Sequence, residues 1–530
     1  MEAPKLDKVD VILASQDGKI VREERLRFCR HGARQKCPNC LPLDSYDEGY
    51  LKEKQIKHMS FHAYVKKLTD LHGKGTRLNK PLENVNCKLI ENCTGGHQKY
   101  PKGICTKCRP PTLTLNRQVF RHVDNITFEN EELVGNFLDY WRRSSHQRVG
   151  YLIGRYEPFA DVPLGIKAVV CAIYEPPQTS GEDFVRIESD PLEAEVDQLC
   201  ELLDMKRIGW IFTDLWAADL SAGTVHCLRH EDSYLLSAAE CITAGTFQST
   251  HKNYTNFCHD GYFGSKFVTV VASGDKSQHI NFSGYQVSNQ CTAMVEAKIL
   301  CPTTTNPEFA WVREKPLSPS HYITDVQYTE KNEYGAEVRR NGRPMPVEYL
   351  LVDVPAGVPK QPQNTFKCHD GFPIENRVLV GQVQDLKSAA KYLSSSKELL
   401  VKLSNFHFLL FLATNNFVRF TVGAMKELMG IVLAQDSKEL QEWIDRNVDW
   451  ATLMELVKAA GEIENQGGPS SAFVSSAGGS APTPSSGESA QNATAPPADD
   501  AHKWACAHCT FENVEVRHDC AMCGLPVDLE

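Results

Sequence analysis

The sequence predicts a multidomain α+β protein, and three observations carry that reading. Cysteine and histidine gather in short clusters near both ends of the chain. From about residue 120 to 330 the sequence alternates strand-like and helix-like segments, and from about 340 to 462 it becomes strongly helical. A Gly/Ser/Ala/Pro-rich tract then leads to a compact last module. At 530 residues the chain is too long for one core, and three or four domains are expected.

Composition sets the class. With 42% hydrophobic and 23% charged residues the chain reads as soluble and globular. A net charge of −10 argues against coating nucleic acid or an acidic membrane. The start, "MEAPKLDKVD", carries charges where a signal peptide would have an apolar core. The longest apolar run, "FHFLLFLA" at 406–413, falls well below the ~18 residues of a membrane span and reads as a buried helix.

The clusters come first in the chain. Of 19 cysteines, most of those in the clusters form C-x-x-C pairs, a pattern that suits zinc in a reducing compartment better than disulfides. "FCRHGARQKCPNC" offers Cys29, His31, Cys37 and Cys40, and "NCTGGHQKYPKGICTKC" offers Cys93, His97, Cys105 and Cys108. Three cysteines and one histidine close a structural zinc site, and the same order appears twice. Cys87 is a spare that could replace Cys93. His58, His62 and His72 lie between the clusters and read as surface or packing histidines. "WACAHCTFENVEVRHDCAMCG" holds Cys506, Cys509, Cys520 and Cys523, a four-thiolate site with no open position for water. So small a module draws its folding free energy from the metal.

The middle of the chain follows. "VGYLIGRY" (149–156) and "IKAVVCAIYEPP" (166–177) read as strands. In "DPLEAEVDQLCELLDMKR" Asp190 is a candidate N-cap and Pro191 a first helical residue, with Leu192, Val196, Leu199 and Leu203 on one face. "IGWIFTDL" (208–215) is a strand after that helix, and a second helix is expected in "SYLLSAAECITAGTF". Helical spacing runs through "KELLVKLSNFHFLLFLATNNFVRF" and "KELQEWIDRNVDWATLMELVKAAG". Residues 464–502 read as a flexible linker.

These residues also carry a resemblance. The last module resembles the Npl-type zinc fingers that bind ubiquitin, through Trp504, the four cysteines, Thr510-Phe511 and Met522. The resemblance implies that Thr510, Phe511 and Met522 face ubiquitin's isoleucine-centred patch. Related fingers bind single-stranded RNA through basic and stacking residues, whereas this module has only Lys503 and Arg517 as its cations. "FCRHG", "KHMSFHAYVKKLT", "GICTKC", "TLNRQVFRHVDNITFEN", "PLGIKAVVCAIYEPPQ", "GWIFTDL", "ECITAG", "GSKFVTVVASG", "GYQVSNQC" and "PVEYL" closely resemble the nuclear protein localization protein 4 family. Members of that family are adaptors. With ubiquitin fusion degradation protein 1 they bring polyubiquitinated proteins to the AAA unfoldase valosin-containing protein, for extraction and proteasomal degradation, including from the endoplasmic reticulum.

The resemblance implies a division of the chain. A short lead-in spans 1–28, two zinc fingers 29–118, an MPN-like domain 126–265, and a C-terminal extension 266–463. The linker at 464–502 and the ubiquitin-binding finger at 503–530 follow. Active members of the MPN fold hold catalytic zinc on two histidines at the end of the strand that "IGWIFTDL" resembles, with a downstream carboxylate. Here the positions read Phe212, Thr213, Asp214 and Leu215, with Ser237 and Glu240 downstream, so the domain is expected to be catalytically inactive. Trp210 and Phe212 are expected in the core and Asp214 in a turn or cap; His226 and His230 follow in the loop without a placed role. Family members usually begin with a ubiquitin-like domain; only 28 residues precede the first cluster here, and the expectation is that this domain is absent. The expected partners are ubiquitin and polyubiquitin, the unfoldase and the partner adaptor, with no nucleic acid and no membrane insertion. The cofactor is Zn2+ at three structural sites. Cytoplasm and nucleus are the expected compartments, with peripheral association at the endoplasmic reticulum and nuclear envelope.

Overall fold

The computed structural model describes residues 6–22, 28–32, 37–71, 80–219, 221–303 and 305–465, with the backbone alone for 462–465, 504–505 and 512–513. Its centre is a sheet that closes on itself. The strands are β1 (Asn125–Phe128), β2 (Val149–Phe159), β3 (Gly165–Tyr174), β4 (Lys206–Asp214), β5 (Val268–Gly274), β6 (Ile280–Val287), β7 (Leu351–Val354) and β8 (Ala356–Gly357). They run in the order β7-β6-β5-β4-β2-β3-β1-β8. The two outermost strands are separated in sequence by Pro355 alone, whose carbonyl accepts the Ile126 N–H at 2.8 Å. One segment therefore pairs with β6 on one side and β1 on the other. Gly284 lies at this seam: a Cβ there would come within 2.4 Å of the Val354 carbonyl oxygen.

Strands β2, β3 and β4 occupy the predicted positions. Long Val/Ile-rich runs become central strands because both of their faces are covered. One face packs Ile126, Phe128, Ala168, Val170, Val268 and Val270 together. The other packs Tyr151, Val169, Trp210, Phe212 and Val271 against helices α4 (Glu193–Leu202) and α5 (Ala238–Thr250), and continues without a break into the C-terminal helices. Before them come α1 (Lys8–Ala14), α2 (Phe61–Leu71) and α3 (Glu131–Ser144), with a short helix at Glu48–Glu53.

Several boundaries move. The helix expected from Asp190 starts later: its N-cap is Leu192, and Asp190 Oδ1 instead accepts the Leu192 N–H at 2.9 Å. Leu192 is left 38% exposed while Val196, Leu199 and Leu203 are buried. α5 begins at Ala238 because Ser237 and Glu240 form a reciprocal capping box. The long helical text after residue 397 is cut by asparagine caps. Asn405 Oδ1 accepts the Phe408 N–H at 3.1 Å, and Asn447 Oδ1 accepts that of Trp450 at 2.8 Å. The apolar run does form a buried helix, Phe406–Thr414.

β5 pairs with β4 in parallel and β6 with β7, so residues 268–287 and 351–357 share one sheet with 125–214, across the expected division at 266. α1 buries Val9 and Leu13 against the sheet and inserts Asp10 between His62 Nε2, at 2.9 Å, and Lys266. His62 is thus a packing histidine, as expected, while His72 lies outside the described residues.

A buried ionic triple ties the C-terminal part to the sheet. Glu175, at the end of β3, receives Arg148 Nε at 2.6 Å and Arg377 Nε at 2.9 Å, with all three residues almost fully buried. Removing one member would strand a buried charge at a cost of about 3–5 kcal/mol.

Candidate metal centres and the rim of the central strand

The two N-terminal clusters assemble as their spacing predicts. In each set of four, the ligand atoms all lie within 4.8 Å of one another. Zn–S near 2.3 Å and Zn–N near 2.0–2.1 Å in a tetrahedron require S···S of about 3.8 Å and S···N of about 3.6 Å. Cys29 and Cys37 sulfurs are 3.6 Å apart, and Cys40 Sγ is 3.3 Å from His31 Nε2. In the second set Cys105 Sγ lies 3.4 Å from Cys93 Sγ and 3.8 Å from Cys108 Sγ, with His97 Nε2 3.4 Å from Cys108 Sγ. Both donor sets fit zinc.

The outer contacts repeat as well. His31 Nδ1 donates to the Gly32 carbonyl at 3.0 Å and His97 Nδ1 to the Gln98 carbonyl at 2.7 Å. Each leaves Nε2 free to ligate, the usual way a second contact fixes a ligand's tautomer. Hydrogen bonds from the Cys108 N–H and the Cys93 side chain hold the Cys105 thiol down to about 6, which favours the thiolate a metal needs. Gly95 is wedged into the second centre: a Cβ would lie 2.9 Å from Cys105 Sγ and 3.2 Å from Cys93 Sγ.

Cys87 does not replace Cys93. It is buried in the main core, its thiol pushed up to about 12 by burial, and its carbonyl accepts the Thr324 hydroxyl at 2.9 Å. The second centre is anchored from both sides. Ile90 N–H donates to the Cys108 carbonyl at 3.1 Å, and Tyr100 packs edge-on to Tyr322. The expected third ligand set (Cys506, Cys509, Cys520, Cys523) and the residues expected to face ubiquitin, Thr510, Phe511 and Met522, lie outside the described residues. Of that module the backbone shows Trp504–Ala505 paired antiparallel with Glu512–Asn513.

The end of β4 holds a different kind of site. Trp210 and Phe212 are buried and stacked with ring centroids 4.8 Å apart, as expected of core residues. Asp214 is not a turn or cap residue. Its Oδ2 accepts Arg229 Nε at 2.6 Å. The same guanidinium donates to both Glu240 oxygens, at 2.8 and 2.6 Å, and to the Leu235 carbonyl at 3.0 Å. It lies over the rings of Tyr234, at 5.0 Å, and Phe212, at 5.6 Å. Burial alone would favour the neutral guanidine, but Glu240 and Asp214 raise its pKa and keep it charged. Glu240 meanwhile accepts the Ser237 N–H at 2.8 Å, completing the α5 cap.

Of the two loop histidines, His226 is exposed and His230 Nδ1 accepts the Asp232 N–H at 3.2 Å; Arg229, between them, turns inward. Arg229 is the residue that sequence reading passed over. A long polar loop gives no periodic signal, and the arginine's role depends on carboxylates 15 and 11 positions away.

Comparison with known proteins places the chain. A model described as "NPL4 family" matches residues 148–458, and a second, "NPL4 family, putative zinc binding region", matches residues 4–145. The chain belongs to the NPL4 family. It is 54% identical to nuclear protein localization protein 4 homolog 1 of Caenorhabditis elegans, covering 99% of each chain. It is 43% identical to the Homo sapiens homolog over 98% of this chain and 82% of that one, and 43% identical to the Drosophila melanogaster homolog over 98% and 78%. Both N-terminal clusters fall inside the family's zinc-binding stretch, and the Arg229 site falls inside the longer NPL4 match. Among the described residues, no helix is long and apolar enough to cross a membrane.

Proposed function

We propose that this NPL4-family protein is a non-enzymatic adaptor. It binds polyubiquitin and, with ubiquitin fusion degradation protein 1, delivers ubiquitinated proteins to the AAA unfoldase valosin-containing protein. The destination is extraction and proteasomal degradation, including from the endoplasmic reticulum, in cytoplasm and nucleus. Two zinc-held fingers near the N-terminus brace the body, the third centre (Cys506, Cys509, Cys520, Cys523) shapes the last finger, and Thr510, Phe511 and Met522 capture ubiquitin. Zinc at all three is structural: four protein ligands leave no position for water.

One observation supports the non-enzymatic reading above all. In the resemblance to MPN hydrolases, Phe212, Asp214 and the carboxylate at Glu240 stand where metal ligands would be. Here a guanidinium lies between the two carboxylates and takes up their lone pairs. Phe212 offers no donor atom. A hydrolytic zinc would need three protein ligands and an open position, and these residues supply neither.

The test uses the full chain, zinc-replete, with ubiquitin chains and with the unfoldase. Binding of ubiquitin chains without cleavage, and co-purification with the unfoldase in the presence of the partner adaptor, are the expected results. Chelator-sensitive cleavage lost in Asp214→Ala would establish the rival, an MPN deubiquitinase with unusual ligands.

A further inference from the structure

A cleft of about 720 Å³ runs between the finger that carries the second metal centre and the segments 296–298 and 320–322. Sites for ligands of nucleotide size commonly enclose about 300–1,000 Å³. Both walls are fixed by hydrogen bonds. On the finger side the Ile90 N–H donates to the Cys108 carbonyl at 3.1 Å. On the body side His321 Nε2 donates to the Ala297 carbonyl at 2.9 Å, and its Nδ1 accepts the Leu317 N–H at 3.1 Å.

Two kinds of side chain line the cleft. Tyr100 and Tyr322, one from each wall, meet edge-on with ring centroids 5.7 Å apart. Both are half-buried, and an edge-on pair covers only one of its four ring faces. Lys88, Lys99 and Lys298 supply the charge, and all three are exposed. Lys88 pairs with Glu296 at 3.8 Å, whereas neither Lys99 nor Lys298 enters an ion pair among the described residues. Lys298 stands at φ 54°, an uncommon conformation for a residue with a Cβ, and its carbonyl accepts Arg313 Nε at 3.0 Å. Its backbone is therefore held in place at the cleft. Glu91 is the lining carboxylate that meets no cation among the described residues. The cations are concentrated here: residues 88–109 carry Lys88, Lys99, Lys102, Lys107 and Arg109 against Glu91 alone, in a chain of net charge −10. Of these, Arg109 is taken by Asp325 at 3.1 Å.

We propose that this cleft binds single-stranded nucleic acid, with a base against Tyr100 and Tyr322 and the neighbouring phosphates on Lys99 and Lys298. Rings beside a row of cations hold single strands without reading sequence, because every base offers a face to stack and every neutralised phosphate releases a counterion. A duplex keeps its base faces stacked inside and cannot use the tyrosines. A free nucleotide leaves Lys102 and Lys107, farther along the finger, without a phosphate, and an acidic peptide satisfies the lysines but not the ring faces. The acidic balance of the whole chain argues against a general nucleic-acid coat, and it confines a polyanion to this face. The site does not depend on the adaptor reading given above.

The test uses the full zinc-loaded chain and a labelled oligouridine of about twelve nucleotides, followed by fluorescence anisotropy. Binding that weakens with added salt is expected. Lys99→Glu with Lys298→Glu should weaken it at least about tenfold and lower the slope of log K against log salt by about one. Tyr322→Leu should weaken it at least about fivefold while Tyr322→Phe keeps it, because stacking needs the ring and not the hydroxyl. Glu91→Gln should tighten it. Zinc content unchanged in each variant shows that the finger still folds. Lys426→Glu with Lys438→Glu, on the C-terminal helices, makes the same change in net charge and should leave binding as it was. The proposal is overturned by no binding to the unaltered chain at low salt, or by unchanged binding in the Lys99/Lys298 variant. Equal weakening in the Lys426/Lys438 variant overturns it too, as a bulk charge effect. Displacement of the strand by an equal concentration of ATP or of polyglutamate also overturns it, and makes the cleft a nucleotide or an acidic-peptide site instead.

Discussion

Arg229 binds Glu240 through two parallel N–H···O bonds, at 2.8 and 2.6 Å, while its Nε reaches Asp214 at 2.6 Å. One loop cation thus joins the end of a central strand to the first turn of the helix beside it. Bidentate pairing of this kind requires the planar fork of arginine, which lysine cannot reproduce.

Replacing it should therefore cost more than a surface ion pair. Arg229→Ala leaves two carboxylates facing each other, only 19% and 21% exposed, and is expected to destabilise the chain by about 3 kcal/mol. Arg229→Lys should recover less than half of that. Adding Glu240→Gln to Arg229→Ala should relieve part of the loss, because it removes one stranded charge. Urea unfolding of the four proteins measures this directly; equal stability for Arg229→Ala and the parent would remove the site's structural role.

The zinc assignments predict stoichiometry. The full chain should carry three zinc ions by elemental analysis. Cys105→Ser should carry two, and Gly95→Ala should lose the same ion, because its Cβ would meet the Cys105 and Cys93 sulfurs. Cys87→Ser should keep all three, since that thiol is buried in the main core with its pKa raised by burial. A loss of metal in Cys87→Ser would instead make it the ligand in place of Cys93.

How much of this was legible in the sequence depends on the range of the interaction. Ligand sets such as Cys93, His97, Cys105 and Cys108 lie within a few turns of chain, so their spacing alone brings them together. Strands such as β4 were equally plain, because burial on both faces leaves a continuous apolar run. The closed sheet was not legible: the pairing of β1 with β8 joins residues 126 and 356, and no local pattern encodes it. Nor was the role of α1, whose Asp10 reads as an ordinary exposed acid until His62 and Lys266 are brought to it. Helix ends were misjudged where a polar residue, Asn405 or Asn447, caps a new helix inside a continuous helical pattern.

Acid should weaken the fold through His122. The ring is buried against Phe61, Phe120 and Phe263, and neither nitrogen has a hydrogen-bond partner. Burial, with Lys266 nearby, pulls its pKa from 6.5 to about 3. The folded protein therefore binds fewer protons than the unfolded chain between these values. The stabilisation is complete above pH 6.5 and is lost as the pH falls toward 3. By pH 5 the loss from this group should be about 2 kcal/mol. His122→Leu should flatten that part of the stability profile, measured by urea unfolding between neutral and mildly acidic pH. An unchanged slope would assign the acid sensitivity to other groups, His58 among them, whose pKa burial also lowers, to about 4.

The N-terminal helix should prove to be part of the body. Asp10 is 6% exposed and bonds both His62 and Lys266, while Lys266 also pairs with Asp7 at 2.5 Å and Asn253 at 2.8 Å. Asp10→Ala removes two charge-assisted contacts but leaves Lys266 its other partners. The expected cost is about 3 kcal/mol, the low end for a broken buried pair. Asp10→Asn should cost less, since the amide oxygen can still accept one bond. A double-mutant cycle between Asp10→Ala and His62→Ala, read by thermal or urea unfolding, should give a coupling energy of about 1 kcal/mol or more. Strict additivity would mean that the two side chains meet without stabilising each other, and that α1 is held by Val9 and Leu13 alone.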